Sequence, residues 1–99
     1  MSFKVRYTKA AREDLQELYA YQLRHSLPSA KRARDTIAKA TEVLKEFPFT
    51  CRKADVGNPF LRELVIPFGG AGYVALFRID DRNTVTILAV RHQREDDYL

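Results

Sequence analysis

The residues best suited to chemistry lie at the end of the last apolar run and in two neighbouring runs. Arg91, His92 and Arg94 follow one another closely near the end of the chain. An imidazole exchanges protons near neutral pH, and a guanidinium binds phosphate oxygens. Arg62 and Arg78 lie in the preceding apolar runs and are candidates for the same surface. The pattern predicts a catalytic or anion-recognising surface, and a charged, solvated C-terminal segment is the alternative.

Other kinds of chemistry find little support in the sequence. Nothing marks a nucleophile with its base: Ser2, Ser26 and Ser29 lie in unsuitable contexts, and the single Cys51 has no obvious partner and excludes an internal disulfide. His25 and His92 are the only histidines, and neither has the spacing of a metal ligand. The sequence therefore predicts neither a metal nor a cofactor.

Length and charge limit the class of protein. Ninety-nine residues predict one domain, over residues 1–99, with an ordinary apolar content of 45%. The net charge is +4, and the excess lies in residues 1–50, with 10 Lys and Arg against 6 Asp and Glu. This favours an anionic partner, either nucleic acid or an acidic protein segment. The opening residues form no secretory signal, and we expect a cytoplasmic protein.

The first half of the chain predicts a strand followed by two helices. Apolar residues alternate with basic ones over residues 3–7, which indicates a half-buried strand. Thr8 is a suitable N-cap for a helix over residues 9–23. Pro28 fits the first turn of a second helix over about residues 29–47, antiparallel to the first. Its apolar stripe comprises Ala30, Ala33, Ile37, Ala40, Leu44 and Phe47.

The second half predicts an antiparallel meander of three strands. The apolar runs occupy residues 61–66, 73–79 and 84–92. We expect a flexible glycine-rich connection before the second run, a tight turn at residues 80–83, and an irregular connection over residues 49–59. The predicted fold is α+β with the order β-α-α-β-β-β. A helical hairpin packs on one face of a small, mainly antiparallel sheet.

Four segments together carry a resemblance to a known family. They are Val5-Arg-Tyr-Thr-Lys-Ala-Ala-Arg-Glu-Asp-Leu15, Leu61-Arg-Glu-Leu64, Gly72-Tyr-Val-Ala-Leu-Phe-Arg-Ile79 and Val90-Arg-His-Gln-Arg-Glu95. In this order and spacing the chain resembles the ParE branch of the RelE/ParE toxin superfamily. The resemblance implies a RelE/ParE-like fold and a toxin of a type II toxin–antitoxin module, also called a plasmid stabilisation protein. It also implies a ParD-like ribbon-helix-helix antitoxin, through which alone the toxin would reach operator DNA.

The resemblance leaves three functions open. In the first, the protein poisons DNA gyrase without being an enzyme, and its target-recognition residues are Arg62, Arg78, Arg91, His92 and Arg94. In the second, it cleaves mRNA on the ribosome as RelE proteins do, with Arg62, His92 and Tyr98 as catalytic residues. In the third, it is a non-toxic scaffold for its antitoxin. The lysine-rich segment of RelE proteins has no counterpart here beyond Arg52-Lys53, and no carboxylate is placed as a base, which favours the first.

The antitoxin is expected to bind the helical hairpin. Tyr19, Leu23 and Leu27 offer apolar anchors along the helix pair, as in helix-in-groove recognition. Arg32 and Arg34 lie on the predicted outer face, where they would suit an acidic or apolar antitoxin segment.

Overall fold

A computed structural model describes residues 2–93 of the chain. Two helices and five strands follow one another along it, with two short 3-10 turns at Val43–Lys45 and Pro48–Thr50. In chain order the elements are β1 (Lys4–Tyr7), α1 (Lys9–Leu23), α2 (Leu27–Glu42), β2 (Arg52–Asp55), β3 (Asn58–Phe68), β4 (Ala71–Ile79) and β5 (Thr84–His92).

The five strands form one mixed sheet in the order β1-β5-β4-β3-β2. β1 is parallel to β5, and the remaining pairs are antiparallel. The core lies between this sheet and the helices: Ala33 and Ile37 from α2 pack against a cluster that includes Phe77 and Ile87. This confirms the predicted fold class, a helical hairpin on one face of a mainly antiparallel sheet.

The helix starts follow the capping residues that the sequence contains. The Thr8 hydroxyl accepts a hydrogen bond from the backbone N–H of Ala11 at 3.0 Å. The Ser26 hydroxyl does the same for the N–H of Ser29 at 3.1 Å, and Pro28 lies in the first turn of α2. Both caps satisfy N–H groups that have no partner within the helix.

The end of α2 differs from the prediction. The α-helix ends at Glu42 and continues as a 3-10 turn, whose tighter winding shifts the phase of the apolar stripe. Leu44 is still fully buried, but Phe47 is 61% exposed. The assignment of Phe47 to the buried stripe was therefore wrong.

Two connections are more regular than the sequence suggested. The segment expected to be irregular contains β2, which pairs with β3 through Arg52 opposite Glu63 and Lys53 opposite Arg62. The connection expected to be flexible is a two-residue turn at Gly69 and Gly70, with a φ of 60° at Gly69. β2 is short and mostly polar, so its strand character comes from pairing with β3 rather than from an apolar pattern.

Both helices pack on the same face of the sheet, and no helix of residues 2–93 covers the opposite face. In that described part, no helix is long and apolar enough to span a membrane.

Candidate functional site

Arg62 is held by the backbone at one end of the sheet. Its guanidinium donates to the carbonyl oxygens of Phe49 at 3.1 Å and Cys51 at 2.8 Å, and its Nε donates to that of Pro59 at 2.7 Å. It also lies 5.5 Å from the centre of the Phe49 ring. The side chain therefore ties the segment between α2 and β2 to strand β3. Burial raises the pKa of the neighbouring Cys51 thiol, and the positive charge of Arg62 offsets part of this rise.

Arg78 belongs to a separate polar network centred on Asp80. The Asp80 carboxylate accepts hydrogen bonds from Arg78 and from the Thr86 hydroxyl, and Arg6 lies 3.6 Å from it. Burial by itself would raise the pKa of Asp80. The two hydrogen bonds and the charges of Arg78 and Arg6 outweigh it, so this pKa lies below its usual value. The network joins β1, β4 and β5.

Arg62 and Arg78 lie on opposite faces of the sheet. Arg62 is paired with Phe77, which faces the helices, whereas Arg78 follows Phe77 and is paired with Leu61. Successive residues of a strand point to opposite faces. The shared surface that the sequence suggested for these two arginines is therefore not formed.

The structure also separates Arg62 from His92. Arg62 is opposite Phe77 on β4, and His92 is opposite Tyr73, four residues earlier on that strand. At about 3.4 Å per residue, the two positions are roughly 14 Å apart along the strand. His92 instead packs edge-on against the Tyr73 ring, with centroids 5.9 Å apart. Arg94 and Tyr98, the remaining C-terminal candidates, lie outside the described residues.

A cleft lies at the other end of the sheet, and we call it the end cleft. It has a volume of about 890 Å³ and lies between the second half of α1, the β3–β4 turn and the end of β5. Tyr73 lies beside it, fully buried: Ser29 donates to Gln22 at 2.7 Å, and Gln22 donates to the Tyr73 hydroxyl at 3.2 Å. Burial raises the pKa of Tyr73, and the hydrogen bond from Gln22 offsets part of this rise. The lining includes Arg24, His25, Arg91 and His92.

A second concavity runs between the two helices, and we call it the helix groove. Its volume is about 560 Å³, and its lining is mainly apolar, with Leu15, Leu18 and Ile37 among its residues. Tyr19 and Arg34 line it from opposite helices, with the Arg34 guanidinium 5.8 Å from the centre of the Tyr19 ring.

The other residues expected to bind the antitoxin do not line the groove. Leu23 and Leu27 are 45% and 49% exposed around the turn between the helices. Arg32 is exposed on α2. Leu23 and Leu27 extend the surface beyond the helix groove toward the helix turn, whereas Arg32 lies on the side of α2 opposite to the groove-lining Arg34 and Ile37.

The end cleft was not found from the sequence, although one signal for it is present. Tyr21 in the last turn of α1 and His25 just after that helix are four residues apart, and their rings pack edge-on at 5.3 Å. The opposite wall comes from the β3–β4 turn and the end of β5, which are far from α1 along the chain, so no local sequence pattern connects the two walls. Among residues 2–93, no group of three or more His, Cys, Asp or Glu is arranged to hold a metal ion.

Comparisons with known proteins agree with this architecture. A chain of a solved structure, described as the chromosomal ParDE TA system from P. aeruginosa, superposes with a TM-score of 0.73 at 20% sequence identity. The match covers 92% of this chain and 96% of that chain, and at this identity it shows a shared fold. A comparison with curated protein sequences finds no match.

The family follows from the sequence match. The family model for the ParE toxin of the type II toxin–antitoxin system parDE matches residues 5–97, nearly the whole chain. The chain belongs to this family. It is a toxin of the type II class, which implies an antitoxin as its partner.

Proposed function

We propose that the protein poisons DNA gyrase and is neutralised by a ParD-like ribbon-helix-helix antitoxin. The family match over residues 5–97 carries this proposal. Poisoning of this kind requires a binding surface rather than a nucleophile and base. The recognition groups that we assign to it are the exposed arginines Arg78 and Arg91, which share the sheet face away from the helices, together with His92 and Arg94 as candidates from the sequence.

The contacts of Arg62 count against the ribonuclease alternative. A catalytic arginine must be available to a phosphate, but the guanidinium of Arg62 already donates to three backbone carbonyls. His92 is roughly 14 Å away along the strand, too far to share one scissile bond. We therefore propose that Arg62 has a structural role and that the protein is not an enzyme.

The helix groove is the surface that we propose for the antitoxin. An apolar side chain of an antitoxin helix would fill the space between Leu15 and Ile37, beside the Tyr19–Arg34 pair. The exposed Leu23 and Leu27 would extend this contact. Arg34 would meet an acidic antitoxin residue at the groove, and Arg32 would meet one on the outer side of α2; such exposed charges change the association rate more than the affinity.

Controlled expression separates the proposed activity from its alternatives. The chain is expressed from a tightly regulated promoter while DNA-damage signalling and mRNA integrity are followed in the same cells. The proposal predicts growth arrest with an SOS response and intact mRNA. Codon-phased mRNA cuts without an SOS response would instead identify a ribosome-dependent nuclease. Harmless accumulation of folded protein would identify an antitoxin-binding scaffold.

Location and domain organisation follow from the same proposal. Since gyrase acts on the chromosome, we place the protein in the cytoplasm. We treat residues 1–99 as one toxin domain, because the family match covers nearly all of them.

A further inference from the structure

The sheet face that points away from the helices is apolar along its middle and basic at both ends. On β4, residues of the core cluster alternate with Val74, Leu76 and Arg78, which therefore lie on this second face. Val65 on β3 and Arg91 on β5 are directly opposite Val74. We call the surface formed by these five residues the open face.

Val74 is the most buried residue of the open face. It is 4% exposed, yet it is not part of the core cluster, and no helix or strand of residues 2–93 lies over it. Its neighbours across the sheet are more open, since Val65 is 37% exposed and Arg91 is exposed. Contiguous apolar surface of this kind marks a place where another element binds. Val74 thus has the burial of a packed residue on a face that the described elements leave uncovered.

The described part of the chain ends beside this face. Because Tyr73 belongs to the core, the preceding Gly72 lies on the open face. The Oε1 atom of Gln93 is 3.2 Å from the point where a Cβ would be at Gly72, so the chain leaves β5 toward this face. Leu76 is four residues further along β4, about 14 Å away. Residues 94–99 reach about 20 Å when extended, which is enough to cross the apolar middle of the face.

Residues 94–99 complement the open face in charge and polarity. They read Arg94-Glu-Asp-Asp-Tyr-Leu99, with three consecutive carboxylates followed by two large apolar side chains. The face and its margins carry more basic than acidic residues: Lys4, Arg6, Arg52, Arg78 and Arg91 against Glu63 and Asp80. Opposite charges and apolar surface on both sides favour this contact. A second copy of the chain is disfavoured as the cover, because two open faces would bring like charges together.

We propose that residues 94–99 pack on the open face of their own chain. Tyr98 and Leu99 cover Val74, and the three carboxylates lie beside Arg91. Because the segment is joined directly to β5, its effective concentration at the face is about millimolar, and weak contacts are enough to hold it. This inference goes beyond the proposed function and does not depend on it.

Methyl NMR of the whole chain tests the apolar part of this contact. Tyr98→Ser/Leu99→Ser keeps the length of the segment and removes its apolar pair. It should shift the methyl signals of the open face, leave those of the helix groove unchanged, and lower the melting temperature by roughly 4–8 °C. Val56→Ser truncates a side chain that is 96% exposed, and as the matched control it should do neither. Unchanged open-face signals in the double variant would overturn the proposal.

A second set of variants tests the charged part. Glu95→Gln/Asp96→Asn/Asp97→Asn should shift the same methyl signals at low salt, and the difference from wild type should vanish near 1 M salt, where charges are screened. The control removes three exposed carboxylates away from the open face, Glu13→Gln/Glu17→Gln/Glu46→Gln, and should leave the signals in place. Wild-type signals that move with protein concentration would assign the face to a second copy and overturn the proposal.

One consequence of the docking does rest on the proposed function. Arg78 and Arg91 are the arginines that we assign to target recognition, so a target that binds them must displace residues 94–99. The variant without the three carboxylates should therefore arrest growth at a lower inducer concentration than wild type or the control variant. Equal inducer requirements would contradict this displacement. Growth arrest without an SOS response would contradict the gyrase proposal instead, while the methyl signals still decide whether the segment docks.

Discussion

Replacing Arg62 by methionine tests whether this arginine holds the fold or acts on a target. Methionine keeps much of the aliphatic length and removes all donors, leaving the carbonyls of Phe49, Cys51 and Pro59 without this partner. A hydrogen bond contributes about 0.5–1.5 kcal/mol net, and those of charged groups contribute more. Three partly exposed bonds and the contact with the Phe49 ring therefore stabilise the fold by about 2–3 kcal/mol.

Thermal unfolding converts this free energy into a measurable shift. For a domain of this size, 1 kcal/mol changes the melting temperature by roughly 4–8 °C, so Arg62→Met should melt about 10–20 °C lower than wild type. Arg52→Met, on the neighbouring strand, is the control. It removes only an exposed ion pair with Glu63, worth about 0–1 kcal/mol, and should shift melting by a few degrees at most.

Toxicity of the same two variants completes the experiment. If Arg62 is structural, Arg62→Met should keep its toxicity in cells grown well below its own melting temperature. A variant that melts like wild type but no longer arrests growth would refute the reasoning, because Arg62 would then act on the target and not on the fold.

Three further predictions concern backbone packing, acid stability and antitoxin binding. Gly72→Ala should prevent stable folding, as seen by circular dichroism, because the added Cβ would lie 2.3 Å from the Ile66 carbonyl oxygen; Gly57→Ala, with its nearest atom at 3.7 Å, should fold normally. The lowered pKa of Asp80 contributes stability that is present above the unfolded-state pKa and lost as pH falls through the folded-state pKa. The difference in unfolding free energy between wild type and Asp80→Asn, measured in urea, should therefore be constant above about pH 5 and shrink at lower pH; a constant difference down to pH 2 would exclude this origin. Charge reversal at Arg32 and Arg34 should slow antitoxin association at low salt, as measured by stopped flow, with little effect near 1 M salt.

Local sequence signals predicted the parts of the fold that depend on nearby residues. Thr8 and Pro28 mark helix starts because capping and the proline ring act within one turn. The last two strands follow from apolar runs bounded by turn residues, and their positions agree with the structure. Strand β2 was missed because its four residues, mostly polar and at the sheet edge, are fixed by pairing with β3.

The candidate site was harder to predict because its contacts are distant along the chain. The sequence indicated Arg62 as a candidate for target recognition or catalysis, but its three acceptors are backbone carbonyls that no side-chain pattern reveals. The face that each arginine occupies depends on strand register, and a shift of one residue reverses it. The end cleft joins α1 to the end of β5, and only the folded chain brings these walls together.

A cleavage assay with purified DNA gyrase tests the central claim most directly. Supercoiled DNA, gyrase and ATP are incubated with the purified protein, and protein-linked DNA breaks are counted after detergent and protease treatment. The account predicts that breaks accumulate with increasing protein and disappear when the antitoxin is added first. Unchanged supercoiling without accumulated breaks, at protein levels that arrest growth in cells, would contradict it.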